Sequence, residues 1–270
     1  MSYANFKPTI WSKYIQHELP KFTVFENDCD YKFEGEVKQG KTVKILGVGR
    51  PTIGSYTGAA IGSPEAVSTN DTTLAIDQAK FFNFAVDDVD KAQSIDGLMS
   101  ALMEESTRAM AESRDTYIAG LAAAATNVSA STAITSKTTA KAAIDAAITA
   151  LMGNGVSMSR DSVTMYLSPA VFMLFADYIL EAKTQNDKAI ASGVIGNYMG
   201  AAVKMTNNVY NDGTDNYLMV KTSKAIAFCS CIDSVEAYRP EDLFSDAVKG
   251  LNTFGGKIVR PNELYVIKAH

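Results

Sequence analysis

Residues 88–125 read DVDKAQSIDGLMSALMEESTRAMAESRDTYIAGLAAAA, the longest stretch of the chain with a helical pattern and no proline. Ile95, Leu98, Met99, Leu102, Met103, Ala109, Met110, Tyr117, Ile118 and Leu121 fall mostly three or four apart, which predicts an apolar stripe along one side of a helix. The opposite side is charged. Asp87 or Asp88 is placed to cap the first exposed amides, and acids there suit the positive end of the helix dipole. Gly97 is the weak point, costing about 1 kcal/mol relative to alanine. A helix over the whole range would span roughly 55 Å, more than the width of a small domain. Ser106 and Ser113 interrupt the heptads, so the pattern is not that of a coiled coil. What remains is a plate-like molecule with strands laid against a long strut.

The rest of the chain has to supply that plate. With 270 residues, 47% hydrophobic and 20% charged, it has the composition of a globular protein with mass for one large or two smaller domains. The most apolar run, 163–180, is broken by Ser168, Pro169 and Asp177, so no membrane span is expected. The start shows no basic-then-apolar leader, and the protein is expected to stay in the cytoplasm of the cell that makes it. A net charge of −5 argues against a dedicated nucleic-acid binder. Between Asp87 and Asp115 eight acids face three bases, so the strut region carries a surplus equal to that of the whole chain.

In chain order, residues 1–30 mix aromatic and apolar side chains with Pro8 and Pro20 and read as an arm with short helical pieces. Its Trp11, the only tryptophan, needs a surface to lie on, either a partner subunit or the chain's own strut. Residues 31–45 alternate around Lys38, Gln39 and Gly40 and predict a hairpin. Residues 47–76 are rich in Gly, Ser and Thr yet dotted with Ile53, Tyr56, Ile61, Leu74 and Ile76; so long a segment without its own core is usually functional or tied to a partner. Residues 80–88 predict a strand feeding the strut. Beyond it, the pattern predicts helices over 138–152 and from a Ser168 cap and Pro169 to 183, with strands at 162–167, 202–205, 217–221, 225–229 and 234–238. A short helix near 241–249 and two closing strands complete an α+β protein of two lobes.

Chemistry is sparse. Only His17 and His270 could act as a neutral-pH base, and a Ser-His-Asp or Cys-His site would need an unlikely meeting. Gly47 and Gly49 lack the third glycine of a dinucleotide loop, and no phosphate loop, nucleophile elbow or zinc signature is present. Cys29, Cys229 and Cys231 are too few for a disulfide framework and read as buried thiols. Asp87, Asp88 and Asp90 read as helix-capping and solvated acids more readily than as a cation site. No catalytic residue, cofactor or metal is expected.

Taken in order, WSKYIQHEL, FEGEVKQGKTVKI, TTLAIDQAKFFNFAVDDVDKAQ, the strut, YLSPAVFMLF, GVIGNYMGAAVKMTNNV and SVEAYRPEDLFSDAVKGLNTFGGKIVRPNEL resemble the major capsid proteins of tailed bacteriophages, which share the Hong-Kong-97-type fold. The likeness covers almost the whole chain and lies in the character of segments rather than in catalytic residues. It implies an N-terminal arm (1–30), a hairpin and extended loop (31–76), a peripheral domain with the strut as spine helix (77–127), an axial domain (128–235) and returning peripheral strands (236–270). The extended loop would reach onto a neighbouring subunit, with Trp11, Arg50, Ile53, Tyr56 and Ile61 as candidate inter-subunit contacts. The loop 184–199, with Asn186, Asp187 and Lys188, would point at the five- or six-fold axis. Glu104, Glu105 and Glu112 are candidate acids on the lumen wall, where they would repel packaged DNA.

The implied function is a major capsid protein that assembles with itself, through hexamers and pentamers, into the icosahedral head around double-stranded DNA. That DNA is enclosed rather than read by sequence. Further implied partners are a portal, decoration proteins and a scaffolding protein; only 30 residues precede the hairpin, so the scaffold is expected to be a separate chain or absent. No lysine lies between Lys44 and Lys80, so a shell welded through a loop lysine is not expected. The implied location is the virion, after assembly in the host cytoplasm. An encapsulin-type compartment shell is the nearest alternative and a soluble α+β enzyme the third.

Overall fold

A computed structural model describes residues 23–34, 42–48, 51–56, 63–66, 69–87, 98–181 and 196–270. Its strands form three sheets. A two-stranded ribbon pairs β1 (Thr42–Val48) with β2 (Thr69–Ala75). A three-stranded sheet runs β3 (Gln78–Asp87), β10 (Ser245–Ile258), β9 (Ile226–Tyr238), with β10 in the middle. A six-stranded sheet takes the order β11 (Leu264–Ala269), β8 (Asn216–Thr222), β4 (Val163–Leu167), β6 (Ala201–Met205), β5 (Asn197–Tyr198), with β7 (Tyr210–Asn211) paired to β8. Its one parallel pair, β4 with β6, needs a crossover between them. Helix α3 (Pro169–Glu181) lies in that connection.

Helix α1 (Leu98–Gly120) tightens into a 3-10 turn at Leu121–Ala124, and α2 (Lys137–Gly153) follows. The described part of the strut is thus 23 residues of α-helix, about 35 Å at 1.5 Å per residue. Gly97 and the rest of 88–97, on which the 55 Å expectation depended, lie outside the described residues. Ser136 starts α2 with a reciprocal capping box to Thr139. Pro169 is the first residue of α3, where its missing N–H costs nothing.

The six-stranded sheet is covered on both faces, which is why all five residues of β4 are buried. One face packs Met165, Leu218, Val220 and Ile267 against Ile144, Ile148 and Leu151 of α2 and Phe175 of α3. The other packs Tyr166, Met219 and Val266 against Phe25, Ile118 and Ala122, where the end of α1 meets the N-terminal turn. A smaller core holds the ribbon: Val43 and Leu74, directly opposite in register, lie with Ala227 and Cys229.

The extended segment is built on a ribbon: β1 pairs with β2 in seven register pairs, which brings Val43 and Leu74 into one core. Of the hairpin expected over residues 31–45, 31–34 hold a turn at Lys32 and Phe33 and 35–41 lie outside the described residues. Two expectations change. In place of the short helix near 241–249, residues 241–244 bend within the β9–β10 connection and 245–249 open β10, which pairs with β3 on one side and β9 on the other. Two-sided pairing outweighs local propensity. The strands at 225–229 and 234–238 are one 13-residue strand, β9. The final strand, β11, joins the six-stranded sheet through β8.

Candidate assembly surfaces

The ribbon projects from a buried root to an exposed end. Leu74 is fully buried and Val43 nearly so, whereas Leu46, three pairs further out, is exposed. Beyond β1, residues 51–56 adopt no regular secondary structure, and there Ile53 is 84% and Tyr56 75% exposed. Glu65 ties the two limbs together, accepting from the Thr52 N–H at 2.8 Å and from its hydroxyl at 3.1 Å. A loop end held in shape this way presents its apolar side chains outward at small entropic cost on binding. Of the predicted inter-subunit contacts, Ile53 and Tyr56 are both exposed; Trp11, Arg50 and Ile61 lie outside the described residues, as do Asn186, Asp187 and Lys188 of the axial loop.

The three-stranded sheet offers a second surface. Phe81, Leu251 and Ser234 are opposite one another across the three strands and therefore share a face. Phe81 is 77% exposed and Leu251 41%. Beside them Lys249 pairs with Glu236 at 2.9 Å and lies over the Tyr238 ring, whose hydroxyl donates to Asn83 at 3.1 Å. Phe81, Leu251, Ser234, Lys249, Glu236 and Asn83 border a groove of about 450 Å³. At the end of the same sheet the β9–β10 connection, 239–244, carries Leu243 and Phe244, the latter 82% exposed. Sequence reasoning missed both places. The signal for the first was available: adjacent Phe81 and Phe82 in a strand must point to opposite faces, so a strand rich in phenylalanine on both sides expects cover on both.

The acids of α1 are less free than composition suggested. Arg108 reaches both Glu104 and Glu105, one turn back on the same face. Glu112, one turn further along, is half-buried. A fourth acid, Asp115, is fully buried, and the residue counts gave no sign of its role. Its Oδ1 accepts the backbone N–H of Val24 (3.0 Å), Phe25 (2.8 Å) and, more weakly, Glu26 (3.4 Å); Oδ2 accepts from Asn208 at 3.0 Å. Burial pushes its carboxyl above the ordinary value of 3.8, and those hydrogen bonds oppose the shift.

Further polar side chains complete this clasp on residues 24–30. Asp28 accepts from the Tyr166 hydroxyl at 2.6 Å and pairs with Lys204, while buried Lys221 donates to the Asp28 carbonyl. Arg114 pairs with Glu26 at 3.3 Å. Burial holds the Lys221 ammonium below its usual range and pushes the Cys29 thiol up to about 11, so that thiol is inert at neutral pH. The root of the arm is thereby fixed to α1, β4, β6 and β8 at once.

A histidine site does form at the chain's end, without a relay. Ser131 Oγ and Asp215 Oδ1 both lie on the same His270 nitrogen, Nδ1, at 3.1 and 3.2 Å, and Ser131 itself donates to Asp215 at 2.8 Å. A serine nucleophile and an orienting carboxylate must occupy opposite ring nitrogens, so this is a surface hydrogen-bond knot. Among the described residues no helix is long and apolar enough to cross a membrane.

The phage capsid protein family matches residues 69–267, from the outer end of β2 to within the last strand. No curated protein matches the chain. Among solved structures, one from Mycobacterium phage Che8 is similar at 30% identity over 98% of both chains, with a TM-score of 0.86. The capsid structure of cyanophage P-SCSP1u is similar at 16% identity over 98% of this chain and 94% of that one, with a TM-score of 0.76. The mature capsid of bacteriophage PhiM1 follows at 15% identity, 97% and 92% coverage and a TM-score of 0.74. These likenesses do not favour the compartment-shell or enzyme alternatives. The ribbon, the helix-backed three-stranded sheet and the doubly covered six-stranded sheet are accordingly those of a Hong-Kong-97-type subunit: the chain belongs to the phage capsid protein family, as the major capsid protein of a tailed phage.

Proposed function

We propose that the subunit closes into hexamers and pentamers and then into an icosahedral head enclosing double-stranded DNA. The observation carrying this reading is the pair of apolar surfaces left bare in the isolated subunit, Ile53 with Tyr56 on the ribbon end and Phe81 with Leu251 on the three-stranded sheet. The two patches differ, so copies joined through them make heterologous contacts, which close into rings. In this reading the arm (1–30), the extended loop (31–76) and loop 184–199 at the ring axis take the roles the resemblance implies, with the peripheral domain built on the three-stranded sheet and the axial domain on the six-stranded sheet that β11 joins. A portal and accessory head proteins complete the particle, built in the host cytoplasm. The subunit performs no catalysis.

Electron microscopy of the purified protein is the test. Shells are expected, and removing residues 48–62 is expected to abolish them while leaving the subunit folded by circular dichroism. Shells that survive the deletion, or compact monomers from the intact chain, overturn the reading. For the lumen wall, Arg108 already offsets part of the charge of Glu104 and Glu105. Reversing Glu104, Glu105 and Glu112 together to lysine should therefore slow genome release; unchanged release kinetics count against an acidic lining.

A further inference from the structure

The ribbon meets the rest of the subunit at one crossing. After Ala75 the chain steps from β2 to β3 through Ile76 and Asp77, directly over Gly255 of β10. A Cβ at Gly255 would sit 2.1 Å from the Ala75 carbonyl oxygen and 2.9 Å from the Ile76 Cα, so the approach requires glycine. On the next residue the helix takes its place: a Cβ at Gly256 would meet Leu121 Cδ1 at 3.2 Å and Tyr117 Cε1 at 3.4 Å. Ribbon and α1 thus pack on successive residues of one strand, whose side-chain positions point to opposite faces.

One side chain joins the two. The Tyr117 hydroxyl donates to Asp77 Oδ1 at 3.0 Å and accepts the Gly256 N–H at 3.3 Å. Its ring is held edge-on to Phe254, centroids 5.4 Å apart, so the hydroxyl has a fixed position relative to β10. The apolar root contact of Val43 and Leu74 on Ala227 and Cys229 holds the ribbon down but is not directional. The hydrogen bond to Asp77 is. We infer that Tyr117 is a positioning residue that sets the direction in which the ribbon leaves the subunit, and through it the angle between neighbouring subunits and the curvature of the shell. The inference rests on the reading that the ribbon end engages a neighbour. β2 rises about 3.4 Å per residue, so a swing of about 10° at the root moves its outer end by about 3–4 Å. Displacement on that scale changes which side chains meet at an interface packed to interior density.

Two variants test this without threatening the fold. Tyr117→Phe keeps the ring on Phe254, and Asp77→Ala removes the acceptor at an exposed position. Spin labels at Ser55→Cys on the ribbon and Lys257→Cys on β10, both exposed, report ribbon direction in unassembled subunits. The expected result is one narrow distance distribution in the parent and a distribution at least twice as broad in either variant, with an unchanged melting temperature. Shells from both variants should then show a mixture of diameters where the parent shows one class. Unchanged distance distributions overturn the inference, as do uniform parental diameters from both variants. Absence of shells from the parent itself would instead sink the capsid reading, and is told apart because it needs no variant.

Discussion

Asp115→Ala should release the root of the N-terminal arm while leaving both sheets intact. The carboxylate is the acceptor for the Phe25 N–H and for Asn208 Nδ2, both buried, with Val24 and Glu26 contributing at partly buried positions. Each buried donor left without a partner costs about 1–3 kcal/mol. Two such donors set a loss of about 2–6 kcal/mol, and removing a desolvated charge returns part of it. A net cost of about 3 kcal/mol corresponds to roughly a 150-fold rise in the opening constant of residues 24–30. Hydrogen exchange read on a peptide spanning this segment measures that directly. Asp115→Asn keeps an oxygen for the amides but turns an amide nitrogen toward Asn208 Nδ2, donor against donor, for about 1–2 kcal/mol. Adding Asn208→Asp restores an acceptor there, so the double variant should recover to within about 0.5 kcal/mol of the parent. Asn208→Asp alone sets two carboxylates together and should be the worst of the polar variants. Parental exchange in Asp115→Ala, or a double variant no better than Asp115→Asn, would refute the clasp.

Acid should not loosen this clasp. Burial raises Asp115 and Glu26 above their ordinary values of 3.8 and 4.5, so the folded state holds these protons more tightly than the unfolded chain. Their contribution is fully present below those ordinary values and is lost as pH rises through the raised ones. The melting temperature of the parent relative to Asp115→Asn should therefore climb as pH falls from 7 toward about 4; a fall would contradict the assignment. Gly255→Ala pushes a methyl into the Ala75 carbonyl and should cost more than about 2 kcal/mol, with faster exchange over 72–76. Phe81→Ser and Leu251→Ser, on an exposed face, should each shift subunit stability by no more than about 0.5 kcal/mol yet raise the protein concentration needed for shells, read by light scattering. Loss of subunit stability instead would place these side chains in the core.

What the sequence made legible follows the range over which each signal acts. The capping serine of α2, the proline opening α3, the buried run of β4 and the apolar stripe of α1 are local patterns, and each element lies within a few residues of its predicted position apart from the unseen start of the strut. The failures are all non-local. Residues 42–48 alternate without naming a distant partner, and the pairing with 69–75 shows only through the small core that Val43 and Leu74 share with Ala227 and Cys229. Residues 245–258 carry three glycines that weaken a strand by propensity, yet two of them, Gly255 and Gly256, are there because a ribbon crosses one and a helix presses on the other. Asp115 looked like one acid among eight on a solvated face, and is instead the anchor for amides 90 residues earlier in the chain. The same reasoning explains why surface acids and surface aromatics gave opposite kinds of error. A helix face can satisfy its own charges through i,i+4 partners such as Arg108, so charge counted along a helix overstates what reaches a partner. A strand cannot cover its own outward phenylalanine, so the exposed Phe81 understates nothing: in a protein that assembles with itself, the apolar side chain with no place in its own fold is the part of the sequence written for the neighbour.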